Sequence, residues 1–302
     1  MPRHKPIECK TIDGTTISGW LYTVDSPTPA PAIIMSHGFN CVKEFTLPDI
    51  AETFHRAGYN VLLYDARSVG ASGGTPQNLL DPLQMAEDLS DITTYMTSLP
   101  SVNPTQILLW GMSFGATITS TCAAIDRRPK ALVLVCPLFS YIQPHKADKA
   151  YAQLIKDRIS QLRGNEPYSL PPFSPTGDNP IGFGGAGGPG GVQAYRLMKA
   201  AAELGNPGFR DRIAFQTYQK LALYRPKEYV GMVRAPVLMV IPEEDEISPP
   251  EEQREVLARF GGVKREYWAV GKGHLNVATG EEAREMVEKT LEFFGEVVGG
   301  GL

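Results

Sequence analysis

Residues 106–117 constrain the chain most. Ile107, Leu108, Leu109 and Trp110 form an apolar run of the kind a buried strand needs. It ends in Gly111-Met112-Ser113-Phe114-Gly115, and the residues from Ala116 to Ala124 contain neither proline nor glycine. That order predicts strand, sharp turn, helix. The two glycines remove the Cβ atoms that would strike the crossing chain, and the turn pushes the Ser113 hydroxyl out at the carboxyl edge of a sheet. G-x-S-x-G recurs by chance, so it is the flanking strand and helix that mark Ser113 as a nucleophile.

The rest of the chain supplies strands and helices in alternation. Asp13-Gly14 between Ile7–Ile12 and Thr16–Val24 predicts an opening β-hairpin, and the proline-rich residues 26–31 a connector. Ala32 to Phe39 reads as a strand whose end, His37-Gly38-Phe39, lies where open α/β sheets bind ligands. A helix over Glu44–Ala57 closed by Gly58, a strand over Asn60–Ala66, and a helix capped by Asp81 and opened by Pro82 follow. Lys130–Cys136 is the next strand, giving three successive βα units and a parallel sheet.

From Ser140 the rhythm breaks. Residues 140–163 and 192–230 read as helical, and residues 164–191 are rich in proline and glycine. Seven of the ten residues in Gly182–Gly191 are glycine, which predicts a flexible or tightly folded connector. A cap inserted at residues 140–230 explains the interruption, leaving residues 1–139 and 231–302 as the core. Alternation resumes with a strand over Ala235–Ile241, a helix over Pro249–Phe260, a strand over Lys264–Val270 and a final helix over Glu281–Val297.

A chain of 302 residues can bury such a core without disulfides or metals. Net charge is −4 with no long block of one sign, so neither a nucleic-acid groove nor a membrane-binding face is expected. No apolar stretch is long enough to span a bilayer, and the polar start Met1-Pro-Arg-His-Lys-Pro6 has no apolar segment behind it, so a cytoplasmic location is expected. Cys9, Cys41, Cys122 and Cys136 are far apart and show no metal-ligand spacing, so reduced, mostly buried thiols and no metal are expected.

A serine hydroxyl needs a base to take its proton and an acid to orient that base. Of five histidines, His4 lies in a terminal tail, His55 in a helix, His145 in the insertion and His37 in the loop before the elbow. His274, just after the last strand, has the position of the base. The acid should lie between Ser113 and His274 at the end of a resumed strand, where Glu243, Glu244, Asp245 and Glu246 cluster; Asp245 is the choice. The backbone N–H groups of Phe39 and Phe114 are the expected oxyanion donors. His37 is expected to shape its loop, and the Asp65–Gly73 loop to brace its neighbours.

These pieces together resemble the α/β-hydrolase superfamily: His37-Gly38-Phe39, the Asp65–Gly74 loop, Gly111–Gly115, the Asp245 loop and Gly273-His274, in the family's order. The resemblance implies an α/β-hydrolase fold with a mostly parallel eight-stranded sheet, a Ser113-Asp245-His274 triad, a cap over the site and no cofactor. Where many relatives have glycine, this chain has Ser68. The cap, with Phe173–Pro180, Tyr218–Pro226 and Pro236–Pro249, is similar to that of hydrolases encoded with fungal polyketide synthases, polyketide transferases or thiohydrolases. That implies a polyketide-type acyl ester, lactone or thioester, which a synthase would carry. Independently, eleven apolar and aromatic residues of the insertion could line a pocket: Tyr151, Leu154, Phe183, Tyr195, Leu197, Met198, Phe209, Phe215, Tyr218, Leu221 and Tyr224. Tyr195, Phe215 and Tyr218 are the leading substrate-binding candidates.

The reading is a serine hydrolase or acyltransferase. Non-hydrolytic chemistry on the same scaffold (lactonisation, condensation or elimination) and a ligand-binding module that keeps the triad stay open as alternatives, as does the oligomeric state.

Overall fold

The computed structural model describes residues 4–302, so the polar start read in Met1–Arg3 lies outside the described residues. Its centre is an eight-stranded sheet in the order β1-β2-β4-β3-β5-β6-β9-β10. The strands β1 (Lys5–Lys10) and β2 (Thr16–Tyr22) form the expected hairpin, closed by Gly14 at φ +82° with Asp13 Oδ1 accepting the Thr15 amide. β2 runs antiparallel to β4 (Asn60–Tyr64), and every later pairing in this sheet is parallel. β3 (Ala30–Ser36) pairs with β4 on one side and β5 (Val102–Met112) on the other. The strand order therefore reverses beside β3, and the crevice at its carboxyl end is where the loops after β3 and β5 meet.

Period-two alternation divides the core into two layers. Ile34, Leu62, Leu109, Leu132 and Met239 face one side with α2 (Pro82–Thr97) and α3 (Phe114–Ile125). Ile33, Leu63, Trp110, Val133 and Val240 face the other, with α1 (Pro48–Arg56) and α9 (Arg284–Val298). The remaining sheet elements are β6 (Pro129–Val135), β9 (Val237–Pro242), α8 (Pro250–Leu257) and β10 (Lys264–Ala269).

Between β6 and β9 the chain leaves the sheet. It forms α4 (Pro144–Leu162), a short antiparallel ribbon of β7 (Ser169–Leu170) and β8 (Ile213–Ala214), then α5 (Pro189–Glu203), α6 (Thr217–Leu223) and α7 (Pro226–Tyr229). Buried Asp157 ties this segment together, accepting the Tyr168 amide at 3.0 Å and the Gln216 side-chain amide at 2.6 Å. Polar bonds seat it on the sheet layers: Asn40 Nδ2 donates to the Arg210 carbonyl, the Leu80 amide to Thr217 Oγ1, and Tyr224 OH to the Thr117 carbonyl.

Three local expectations are corrected. Residues 192–230 are not continuously helical: Gly205 and Gly208, both at positive φ, and Pro207 between them end α5 before the ribbon. Asp81 makes no side-chain cap on α2, because its carboxylate pairs with Lys220 at 2.6 Å. The first sheet helix starts at Pro48 rather than Glu44, since Lys43 and Glu44 are drawn into an ion pair in the preceding loop.

Candidate active site

The turn between β5 and α3 holds Ser113 at φ +55°, ψ −118°, a region that L residues rarely occupy. Its glycines allow the crossing. A Cβ on Gly111 would lie 2.6 Å from the Gly115 carbonyl oxygen, and one on Gly115 would lie 2.4 Å from the carbonyl oxygens of Ser36 and His37. Ser113 Oγ lies 2.8 Å from His274 Nε2, and His274 Nδ1 lies 2.9 and 3.0 Å from the two Asp245 oxygens. All three side chains are buried.

The loop after β9 fixes the acid. Asp245 Oδ1 accepts the amides of Ile247 at 2.9 Å and Ser248 at 2.7 Å, and Oδ2 accepts Gln253 Nε2 at 3.1 Å. Among the four neighbouring carboxylates only Asp245 reaches His274. Glu243 instead accepts the Gly271 amide, bracing the loop that carries the histidine, and Glu246 accepts Gln193 Nε2. Burial pushes the His274 imidazole down in pKa, but the adjoining Asp245 charge outweighs it and holds the value well above the ordinary one.

The glycine-rich stretch is tightly folded. It lies on this same acid loop: added Cβ atoms on Gly185 and Gly190 would come within 2.3 and 2.1 Å of the Glu246 carbonyl oxygen. Only glycine permits so close an approach.

Phe114 opens α3, so its amide has no intrahelical acceptor and the positive helix end lies at Ser113. Phe39 sits in the facing loop, its ring 5.5 Å from that of Phe114 in an edge-on contact. His37 donates through Nδ1 to the Gly38 carbonyl at 3.1 Å, and burial lowers its pKa, so it is a neutral part of the loop. Deeper in the same crevice, Asp65 accepts the Lys43 amide at 2.8 Å, Lys43 Nζ at 2.7 Å and the Ala71 amide at 2.9 Å. Ser68 adopts φ +63° in this loop and donates to the Leu79 carbonyl, so the serine takes a conformation that favours glycine. The Lys43–Asp65 pair was not legible from sequence, since nothing local links the two residues.

A cavity of about 70 Å³ covers Ser113, walled by Phe39, Leu138, Phe173, Phe183, Met198 and Ile247 among others. Of the insertion residues weighed from sequence, Phe183, Leu197 and Met198 reach it. The three leading substrate candidates do not. α5 turns Ala194 and Met198 toward Ser113, which leaves Tyr195 on its other side, where Tyr195 and Phe215 line a separate groove. Tyr218 is fully buried, its hydroxyl 3.1 Å from Asn179 Nδ2, and serves packing. Helical spacing shows which residues share a face; it does not show which way the face points.

The match to the serine aminopeptidase S33 family model (Hydrolase_4) spans residues 27–274, from before β3 to the site histidine. This chain belongs to that family of α/β hydrolases. It is 38% identical over 292 residues to a thiohydrolase of Eupenicillium brefeldianum, covering 95% of this chain and 92% of that protein. It is 36% identical over 290 residues to the polyketide transferase af380 of Aspergillus fumigatus, covering 95% and 96%. The solved structure of DcsB in complex with its substrate analogue has 56% sequence identity and a TM-score of 0.94, covering 98% of this chain and 99% of that one. Hydrolase and transferase names among such relatives support an enzyme.

The α/β-hydrolase site also contains a thiol. Cys136 Sγ lies 3.9 Å from His274 Nε2 and donates to the His274 carbonyl at 3.5 Å, while burial pushes its pKa up. Among the described residues, Cys136, Asp245 and His274 are the one group of possible metal ligands whose ligand atoms lie within 4.8 Å of one another. Their lone pairs and protons are already committed: both imidazole nitrogens and both Asp245 oxygens have hydrogen-bond partners, and the thiol stays protonated. The donor set fits an acid–base relay better than a cation. No helix among the described residues is long and apolar enough to cross a membrane.

Proposed function

We propose that this chain is a serine-dependent hydrolase or acyltransferase acting on an ester, lactone or thioester of a polyketide-like acyl substrate, which a polyketide synthase would carry. The observation that supports it is the relay of buried contacts, 2.8 Å from Ser113 Oγ to His274 Nε2 and 2.9 Å from His274 Nδ1 to Asp245. In this reading Ser113 Oγ attacks the acyl carbonyl while His274 Nε2 takes its proton. Asp245 holds the ring with Nδ1–H toward itself and stabilises the imidazolium. The Phe39 and Phe114 amides carry the oxyanion. His274 then returns the proton to the leaving thiol or alcohol, leaving an ester on Ser113, and water or an alcohol, amine or thiol acceptor releases it by the reverse sequence.

The names of the relatives above, a thiohydrolase and a polyketide transferase, correspond to release to water and to another acceptor. The insertion over residues 140–230 acts as the cap. The apolar walls of the cavity beside Ser113 suit an acyl chain. Product analysis with acyl thioesters, with and without added alcohols and amines, tests this. Acyl esters or amides formed faster than free acid support transfer; free acid alone makes the chain a hydrolase; no product, with Ser113→Ala equal to wild type, ends the proposal.

A further inference from the structure

The cavity over Ser113 and the groove on the outer side of α5 have separate walls that share one residue, Phe173. The cavity is about 70 Å³, whereas pockets for small ligands usually run to about 300–1,000 Å³. The groove, at about 760 Å³, is of that size, and Ser113 is not among the residues that line it. We infer that the Phe173 side chain is a gate between the two, and that a long acyl chain places its carbonyl at Ser113 and its far end in the groove. This rests on the serine acyl-transfer reading.

The surroundings of Phe173 carry it. Phe173 is buried, with backbone held on both sides: Asn179 Nδ2 donates to the Pro172 carbonyl at 2.7 Å, and the Ser174 amide to the Asp178 carbonyl at 2.8 Å. The ring, not the loop, is therefore the part that can turn. Gly184 faces that ring, where a Cβ would make an ordinary contact at 3.4 Å with Phe173 Cζ; its glycine answers to the backbone at φ +64°.

The side chains beyond the gate form a continuous apolar series. Phe173 meets Phe183 at 5.3 Å between centroids, Phe183 meets Phe39 at 4.6 Å, and Phe39 meets Phe114 at 5.5 Å. The aromatic series thus runs from the groove to the two amides proposed for the oxyanion. On the groove side, Tyr195 and Phe215 give apolar walls, while Lys146, Lys149 and Lys199 form a rim. Lys146 pairs with Asp178 and Lys199 with Asp211, which leaves Lys149 as the rim cation outside those two pairs. The groove therefore takes an acyl chain whose far end carries an oxygen acceptor, a carboxylate best of all.

Kinetics with N-acetylcysteamine thioesters from C2 to C12, ending in methyl or carboxylate, test the gate. In wild type kcat/KM rises up to about fourfold per added methylene beyond the length that fills the cavity. Phe173→Trp lowers the C12-to-C2 ratio by about tenfold, and Phe173→Ala raises it. Lys149→Glu lowers the C12 carboxylate by about fivefold relative to the C12 methyl thioester. Fluorophosphonate labelling of Ser113 in each variant reports an intact site.

Labelled variants with unchanged ratios overturn the gate. A wild type that neither labels nor turns over ends the serine reading instead. Calorimetry with C4 to C12 dicarboxylic acids on Ser113→Ala, with and without Phe173→Trp, then still decides the passage. Length-dependent affinity abolished by Trp supports it; affinity retained with Trp overturns it.

Discussion

Asp245→Asn removes one charge from a carboxylate whose two oxygens already receive two backbone amides, Gln253 and His274. The asparagine oxygen would stay at the Oδ1 position, where it keeps the Ile247 and Ser248 amides. Its NH₂ group would then face Gln253 Nε2, donor against donor, and would donate to His274 Nδ1. That locks the ring in the wrong tautomer, with Nε2–H pointing at Ser113, so the base is lost. Such a change costs about 10⁴-fold in turnover, near 5.5 kcal/mol of transition-state stabilisation.

The pH profile carries a second sign. Only neutral His274 accepts the serine proton, so wild-type kcat/KM is present above the His274 pKa and is lost as pH falls through it. Pairing with Asp245 raises that pKa, placing the acid limb above the ordinary value of about 6.5. Without the carboxylate charge burial prevails, and the limb of the residual activity moves to lower pH. The assay is kcat/KM against pH with an acyl thioester, alongside thermal melting to show that the variant is folded. A folded Asp245→Asn enzyme within tenfold of wild type, with its acid limb unmoved, would refute the relay.

Other perturbations probe the scaffold. Gly190→Ala forces a Cβ against the Glu246 carbonyl, and should cost about 1–3 kcal/mol in a denaturant melt and slow turnover through the neighbouring Asp245; an unchanged midpoint contradicts the contact. Ser113→Gly should melt above Ser113→Ala by about 1 kcal/mol, because glycine relieves the strained φ that alanine retains; the reverse order would show an unstrained turn. Lys43→Ala leaves Asp65 buried without its cation and should cost about 3–5 kcal/mol; a loss below about 1 kcal/mol would contradict a buried Asp65 that depends on this cation.

The legible parts of this chain were those set by local chemistry. The Ile107–Trp110 run and its two flanking glycines specify the elbow because strand, crossing and helix follow within a dozen residues. Proline marked the start of α2 at Pro82, whereas Pro189, which opens α5, lay in the stretch read as a connector. His274 emerged by elimination, and the structure brings it to Ser113 and Asp245. What sequence could not supply depends on tertiary direction. The face of α5 that looks at Ser113 carries Ala194 and Met198, not Tyr195, because helix orientation is set by packing on the acid loop. The Lys43–Asp65 pair joins two loops through space, and Asp81 exchanges its capping role for Lys220 across 139 residues of chain.

The most direct test of the central claim is intact-protein mass spectrometry of wild type and Ser113→Ala after brief incubation with an acyl thioester. An added mass equal to the acyl group on wild type alone, mapped to Ser113 and lost when an acceptor is supplied, is the predicted result. Full turnover without any adduct, with Ser113→Ala equally active, would contradict it.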